Sequence, residues 1–297
     1  MVPETPAARR APDTPTHRGT FDGRDGVGLA YARFDVGFDH HRVLVFLHGI
    51  GSHGAMYYHI ADALGGAVDS VYFPDLRGHG ASRGPRGDLV GPGHVLGDID
   101  AVLRAVRAEN PAAEVVLGGE SMGALFALAY TAREPEMVDR LVLAAPALKL
   151  NTTRLRTADS LRKGWRGLFH SKGDAPGIPV TGAVEGDVVR DPGFAEMSAR
   201  DPLALRTVSL KYLLVVGAFL WNWPARYARR LARPVLILQG GADVVMDPRG
   251  ARRLHRLLPH ADFVEFPDSW HNLFWDPESA DVLARMSDWM AGEGSGG

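Results

Sequence analysis

The chain has 297 residues, 45% of them hydrophobic and 23% charged, a balance that excludes a wholly disordered, collagenous or coiled-coil protein. A formal net charge of −2 gives no nucleic-acid footprint, and the absence of cysteine excludes disulfides, Cys-zinc sites, iron–sulfur clusters and thiol nucleophiles. No apolar run approaches the roughly 18 to 20 residues that cross a bilayer and no signal-peptide core opens the chain, so the expectation is a cytoplasmic protein.

Residues 1–18 hold Pro3, Pro6, Pro12 and Pro15 among small and charged side chains and read as a disordered tail. Segments 20–24 and 28–36 alternate enough to form an antiparallel edge pair. Near-continuous apolar runs then follow at 42–48 (RVLVFLH), 70–75 (SVYFPD), 114–119 (EVVLGG), 140–145 (RLVLAA), 234–239 (PVLILQ) and 262–266 (DFVEF). Such runs mark strands covered on both faces, as in a parallel sheet. Helical patterns at 56–64, 93–108, 122–133, 248–258 and 277–290 supply the crossovers. The fold class that follows is α/β, a mostly parallel, doubly wound sheet. The alternation breaks over 147–232, which reads as a mainly helical cap inserted above the C-terminal edge of the sheet. The catalytic domain is then 19–146 with 233–291, and 292–297 is a flexible tail.

After the run at 114–119 comes Gly119-Glu120-Ser121-Met122-Gly123, with a helical pattern behind it. Strand, G-x-S-x-G and helix in that order make a nucleophile elbow, which pushes the Ser121 hydroxyl out at the top of the sheet. A serine hydroxyl needs a base to take its proton, and the base needs a carboxylate to orient it. Two loops at strand ends offer them: Asp243 follows the run at 234–239, and His271 follows the run at 262–266. Of the rival acids, Asp247 precedes Pro248 and reads as a helix N-cap, and Asp268 is too near His271 in sequence. His40, His41, His255 and His260 lack the loop-after-strand placement. An oxyanion requires two preorganised donors, and the Met122 and Ile50 amides are the candidates, Ile50 lying in the His48-Gly49-Ile50-Gly51 loop. No metal or organic cofactor is required.

With FLHGIGSH at 46–53, DLRGHGASRGPRG at 75–87, GESMGA at 119–124, LQGGADVV at 238–245 and DSWHNLF at 268–274, the sequence resembles the α/β-hydrolase superfamily, and within it the monoacylglycerol lipase and lysophospholipase-like branch. The resemblance spans about residues 25 to 290 and implies an α/β-hydrolase fold, Ser121 as nucleophile, Asp243 as acid, His271 as base, and an oxyanion hole from Ile50 and Met122. It implies that the 75–82 turn is scaffold, with His79 holding loops. Two departures, Glu120 where many members have His and Ala124 where glycine is common, are expected not to touch the triad.

The run 212–221 (YLLVVGAFLW), followed by Asn222, Trp223 and Pro224, is apolar around most of a helical wheel. It reads either as a cap helix packed on the catalytic domain or as an acyl-chain wall that dips into lipid at Trp221 and Trp223. Candidate substrate contacts are His48 and Gly49 in the oxyanion loop and Tyr212, Phe219 and Trp221 in this run. Segment 147–232 carries 14 Lys and Arg against 7 Asp and Glu, so a cap of charge +7 sits over a body of −9. Either the two attract one another, or the cap makes peripheral contact with anionic membrane. The expected function is hydrolysis of acyl monoesters such as monoacylglycerols. Lysophospholipids are next, then aminopeptidase, lactonase, carbon–carbon hydrolase or acyltransferase chemistry; epoxide hydrolases and haloalkane dehalogenases would have aspartate at the elbow. A silent binding protein on the same fold is the non-enzymatic alternative. Oligomeric state is not legible.

Overall fold

The computed structural model of the chain describes residues 14–151, 178–180, 190–222 and 225–292. Its main sheet contains β1 (His17–Asp22), β2 (Gly28–Asp35), β3 (Arg42–Leu47), β4 (Ser70–Pro74), β5 (Glu114–Glu120) and β6 (Arg140–Ala144). A two-residue pair follows, β7 (Ile178–Pro179) and β8 (Thr207–Val208), before β9 (Val235–Gly240) and β10 (Asp262–Phe266) return to the main sheet. The helices are α1 (His59–Ala63), α2 (Pro92–Glu109), α3 (Met122–Arg133), α4 (Pro192–Arg200), α5 (Leu210–Asn222), α6 (Ala225–Ala228), α7 (Arg249–Leu257) and α8 (Ser279–Ala291).

The order across the eight-stranded sheet is β1-β2-β4-β3-β5-β6-β9-β10. β1 and β2 pair antiparallel, β2 joins β4 antiparallel, and every pairing from β4 to β10 is parallel. Alternation within the apolar runs explains the two layers of helices. Val43, Val45 and Leu47 of β3 face a core shared with α2 and α3, while Leu44 and Phe46 face a second core with α1 and α8. A strand buried on both faces has no polar side to alternate, which is why its sequence is continuously apolar.

The edge pair differs from its expected limits. β1 begins at His17, inside the stretch expected to be a tail, because the His17 and Arg18 backbones pair with Arg33 and Ala32. Arg24 instead enters a 3-10 turn. Residues 1–13 and 293–297 of the expected tails lie outside the described residues.

The 75–82 turn is a bracing device. One Asp75 carboxylate oxygen accepts the Gly54 amide at 2.7 Å and the other the Ala81 amide at 2.8 Å, while the Ser82 hydroxyl donates to the Asp75 carbonyl. Gly80 is needed here: its φ is +49°, and a Cβ would lie 2.1 Å from Asp75 Oδ2. The inserted segment is tied to the loops that follow β3 and β4. Leu205 N donates to Gly51 O at 2.8 Å, Ser209 N to Gly87 O at 2.8 Å, and His53 Nε2 sits 2.7 Å from Asp201 Oδ2.

Candidate active site

β5 ends at Glu120 and α3 begins at Met122, so Ser121 alone makes the turn between them. Its φ of 55° and ψ of −114° are costly for a residue with a Cβ, by about 1–3 kcal/mol. The backbone holds it there. Ser121 N donates to Ala144 O at 2.9 Å, and Ser121 O accepts from Leu125 N and Ala147 N. The turn also needs a close crossing with the loop after β3: a Cβ on Gly123 would lie 2.1 Å from the Leu47 carbonyl oxygen. Glycine at that position lets α3 start directly against the strand.

Ser121, His271 and Asp243 are brought together from three strand ends. Ser121 Oγ lies 2.9 Å from His271 Nε2, and His271 Nδ1 lies 2.7 Å from Asp243 Oδ2. The other Asp243 oxygen accepts the Val245 and Met246 amides, both at 2.8 Å, and Gln239 Nε2 donates to Oδ2 at 3.2 Å. The loops after β9 and β10 are joined by backbone bonds, Gly241 N to Phe266 O and Ala242 N to Ser269 O. Burial alone would lower the His271 pKa, but the Asp243 charge and hydrogen bond, together with the Glu120 charge, outweigh it and raise it. Asp247 precedes the N-cap residue of α7, which is Pro248; its Oδ1 accepts the Arg249 amide at 3.0 Å, and Arg249 and Lys149 hold its carboxyl well below the usual range. Asp268 is exposed.

Of the two expected oxyanion donors, Met122 is the first residue of α3, where the helix supplies no acceptor for its amide. The Ile50 amide meets no acceptor among the described residues. Its loop runs beside Ser121: a Cβ on Gly49 would stand 3.6 Å from the Ser121 Cβ.

Three of the expected substrate contacts have other duties. His48 is fully enclosed, with Nδ1 2.8 Å from Gly49 O and Nε2 accepting the Leu76 amide at 3.0 Å, so neither ring nitrogen is left for a substrate. Burial pushes its pKa down to about 3, which keeps the ring neutral. Tyr212 is also fully buried. Its hydroxyl lies 3.0 Å from His79 Nε2 and 2.8 Å from the Met122 sulfur, tying α5 to the scaffold turn and to the start of α3. Phe219 packs on Phe126 of α3 with ring centroids 4.8 Å apart, an internal core contact. Trp221 belongs to α5, but its side chain and Trp223 lie outside the described residues.

Sequence reasoning passed over the supports of these loops. Glu120, expected not to touch the triad, makes no hydrogen bond to it among the described residues but accepts the Tyr57 hydroxyl at 2.8 Å and the Leu273 amide at 2.9 Å. Asp276, buried, accepts the Trp270 amide at 3.1 Å and pairs with Arg190 from the inserted segment, clamping the loop that carries His271. No spacing rule marks such residues, because the G-x-S-x-G pattern leaves position 120 open and Asp276 lies outside every motif. Among the described residues no group of three or more His, Asp or Glu side chains is arranged to hold a metal ion.

The profile of the family described as serine aminopeptidase, S33, matches residues 39–278. The chain is 28% identical over 277 residues to the monoacylglycerol lipase of Mycolicibacterium smegmatis, covering 91% of this chain and 95% of that one. It is 30% identical over 227 residues to the monoglyceride lipase of Homo sapiens, covering 74% and 72%. Its structure is similar to that of the Paleococcus ferrophilus monoacylglycerol lipase, with a TM-score of 0.73 at 26% identity over 89% of this chain and 99% of that one.

Proposed function

The chain belongs to the serine aminopeptidase S33 family and is a serine hydrolase of the lipase and esterase kind, and from that premise we propose that it cleaves glycerol monoesters of fatty acids through Ser121, His271 and Asp243. The observation that carries this reading is the unbroken hydrogen-bonded line from Ser121 Oγ through both His271 nitrogens to Asp243. In the proposed reaction His271 Nε2 takes the Ser121 proton as Oγ attacks the ester carbonyl. The oxyanion is received by the Ile50 and Met122 amides. Collapse of the tetrahedral intermediate expels the alcohol, which His271 protonates, and a water activated by the same histidine then releases the fatty acid.

A panel of esters that varies head group and acyl length independently tests the substrate. Monoacylglycerols are expected to have the highest kcat/KM, above lysophosphatidylcholine of the same chain length and above aminoacyl amides. A lysophospholipid or an amide as the fastest substrate would move the assignment to that class.

Membrane contact rests on a different surface. The first turns of α5 expose Leu210 and Leu214 to 56% and 65%, with Lys211 exposed beside them. We assign this face to a lipid aggregate bearing the substrate. Binding to liposomes is expected to rise with anionic lipid and to weaken as salt is added, because screening over roughly 10 Å at 0.1 M weakens the attraction of the basic segment. Sedimentation that responds to neither variable would exclude the contact.

A further inference from the structure

Glu120, directly before the candidate nucleophile, is the centre of a hydrogen-bonded cluster that the proposed chemistry leaves unused. It is 2% exposed. Its carboxylate accepts the Tyr57 hydroxyl and the Leu273 amide, and the end of the Asn272 side-chain amide lies 2.9 and 3.1 Å from its two oxygens. These donors come from both loops that flank Ser121. Tyr57 also accepts the Gly49 amide at 3.3 Å, so it braces the loop carrying Ile50. Asn272 and Leu273 are the two residues that follow His271.

A carboxyl so enclosed costs desolvation energy that an apolar side chain would avoid. Burial pushes the Glu120 pKa up to about 7, and the Asp243 charge pushes the same way, while the His271 charge, the Tyr57 hydroxyl and the Leu273 amide pull it down. The Leu273 amide can only donate, and the Tyr57 hydroxyl gives its proton to this carboxyl while accepting from the Gly49 amide, an arrangement that suits the anion. The titratable groups facing Glu120 are therefore Tyr57 from the turn after β3, Asp243 from the loop after β9 and His271 from the loop after β10.

We propose that Glu120 is a positioning residue that sets the oxyanion loop and the histidine loop against Ser121, and that its anion shares with Asp243 the stabilisation of the positive charge formed on His271. The proposal rests on the reading of His271 as the general base. It differs from simple bracing in one measurable respect, the proton affinity of His271.

The test is kcat/KM against pH for an uncharged ester. The base must be neutral to act, so activity falls on the acid side as His271 gains its proton. The His271 charge favours the Glu120 anion in turn, so the two titrate as a coupled pair across the limb, and Glu120→Gln is expected to move that limb down by roughly one pH unit. The same loss of charge should lower the plateau by up to about tenfold, the full factor applying when the proton is wholly on His271 in the transition state. Tyr57→Phe weakens the hold on the charge without removing it. Its limb should shift the same way by less, and it serves if Glu120→Gln does not fold. A folded variant with a lower plateau and an unmoved limb would reduce Glu120 to a structural brace and overturn the proposal. Labelling the wild-type protein with a fluorophosphonate separates the two readings. Failure to label Ser121 removes the triad and this inference together, whereas labelling with an unmoved limb removes this inference alone.

Discussion

Ser121→Ala is expected to lower turnover of a monoacylglycerol by about four or more orders of magnitude, with no fluorophosphonate labelling. The hydroxyl is the only side-chain group that the substitution removes, and its sole hydrogen bond among the described residues is to His271. The strained turn should survive, because Ala144, Leu125 and Ala147 hold it through backbone bonds that alanine keeps. A loss of about 1 kcal/mol, or roughly 2–4 °C in Tm, is the most that one hydrogen bond is expected to cost. The residual rate should exceed that of water alone, since the oxyanion donors remain. Activity within tenfold of wild type in a folded variant would rule out Ser121 as the nucleophile.

The parts of the site legible in the sequence are those whose chemistry and backbone requirements coincide at one point in the chain. An elbow requires strand, glycine, serine, glycine and helix in fixed order, so Ser121 could be read directly. Asp243 and His271 were legible because a parallel sheet delivers the C-terminal ends of its strands to one edge, which makes a loop after a strand informative. The fold was legible for a related reason: doubly covered strands are continuously apolar, and β3 to β6 and β9 all carry that signature. β10, at the sheet edge, is only partly buried along most of its length, yet its DFVEF run still has enough apolar character to mark it as a strand.

Other residues were opaque because composition does not reveal which partner consumes a polar atom. His48 follows a strand, as a substrate contact might, but both ring nitrogens are taken by the backbone at Gly49 and Leu76. The 212–221 run is apolar on every side, so periodicity could not say which face packs. In the structure Tyr212, Val215 and Phe219 turn inward, with Leu210 and Leu214 outward. Glu120 occupies the variable position of the G-x-S-x-G pattern, where the motif places no demand. Its duty appears only once the loops after β3 and β10 close around it.

Those loops do not stand alone. The loop after β3 is bonded to the inserted segment at Gly51–Leu205 and His53–Asp201, and the loop carrying His271 at Asp276–Arg190. Both loops beside Ser121 are thus bonded to the inserted segment.

Asp243→Asn should be nearly as damaging as loss of the nucleophile, although it changes one atom and leaves the volume alone. Asp243 Oδ1 accepts two amides, Val245 N and Met246 N, so an asparagine must keep its carbonyl oxygen there or leave two buried donors unpaired. Its amide nitrogen is then forced to the Oδ2 position, 2.7 Å from His271 Nδ1 and facing Gln239 Nε2. Facing an N–H donor, Nδ1 must become the acceptor, and the histidine proton moves to Nε2. That tautomer presents a proton to Ser121 where the reaction needs a lone pair, and the negative charge that would stabilise the imidazolium is gone as well. The expected result is a fall in kcat of about 10⁴ with little change in KM. Partial recovery is expected as pH rises, where hydroxide can supplement the missing base. The backbone bonds that shape the loop are retained, so Tm should stay close to that of wild type. A loss of less than tenfold would mean that another carboxylate orients His271, and Glu120 would be the first to test.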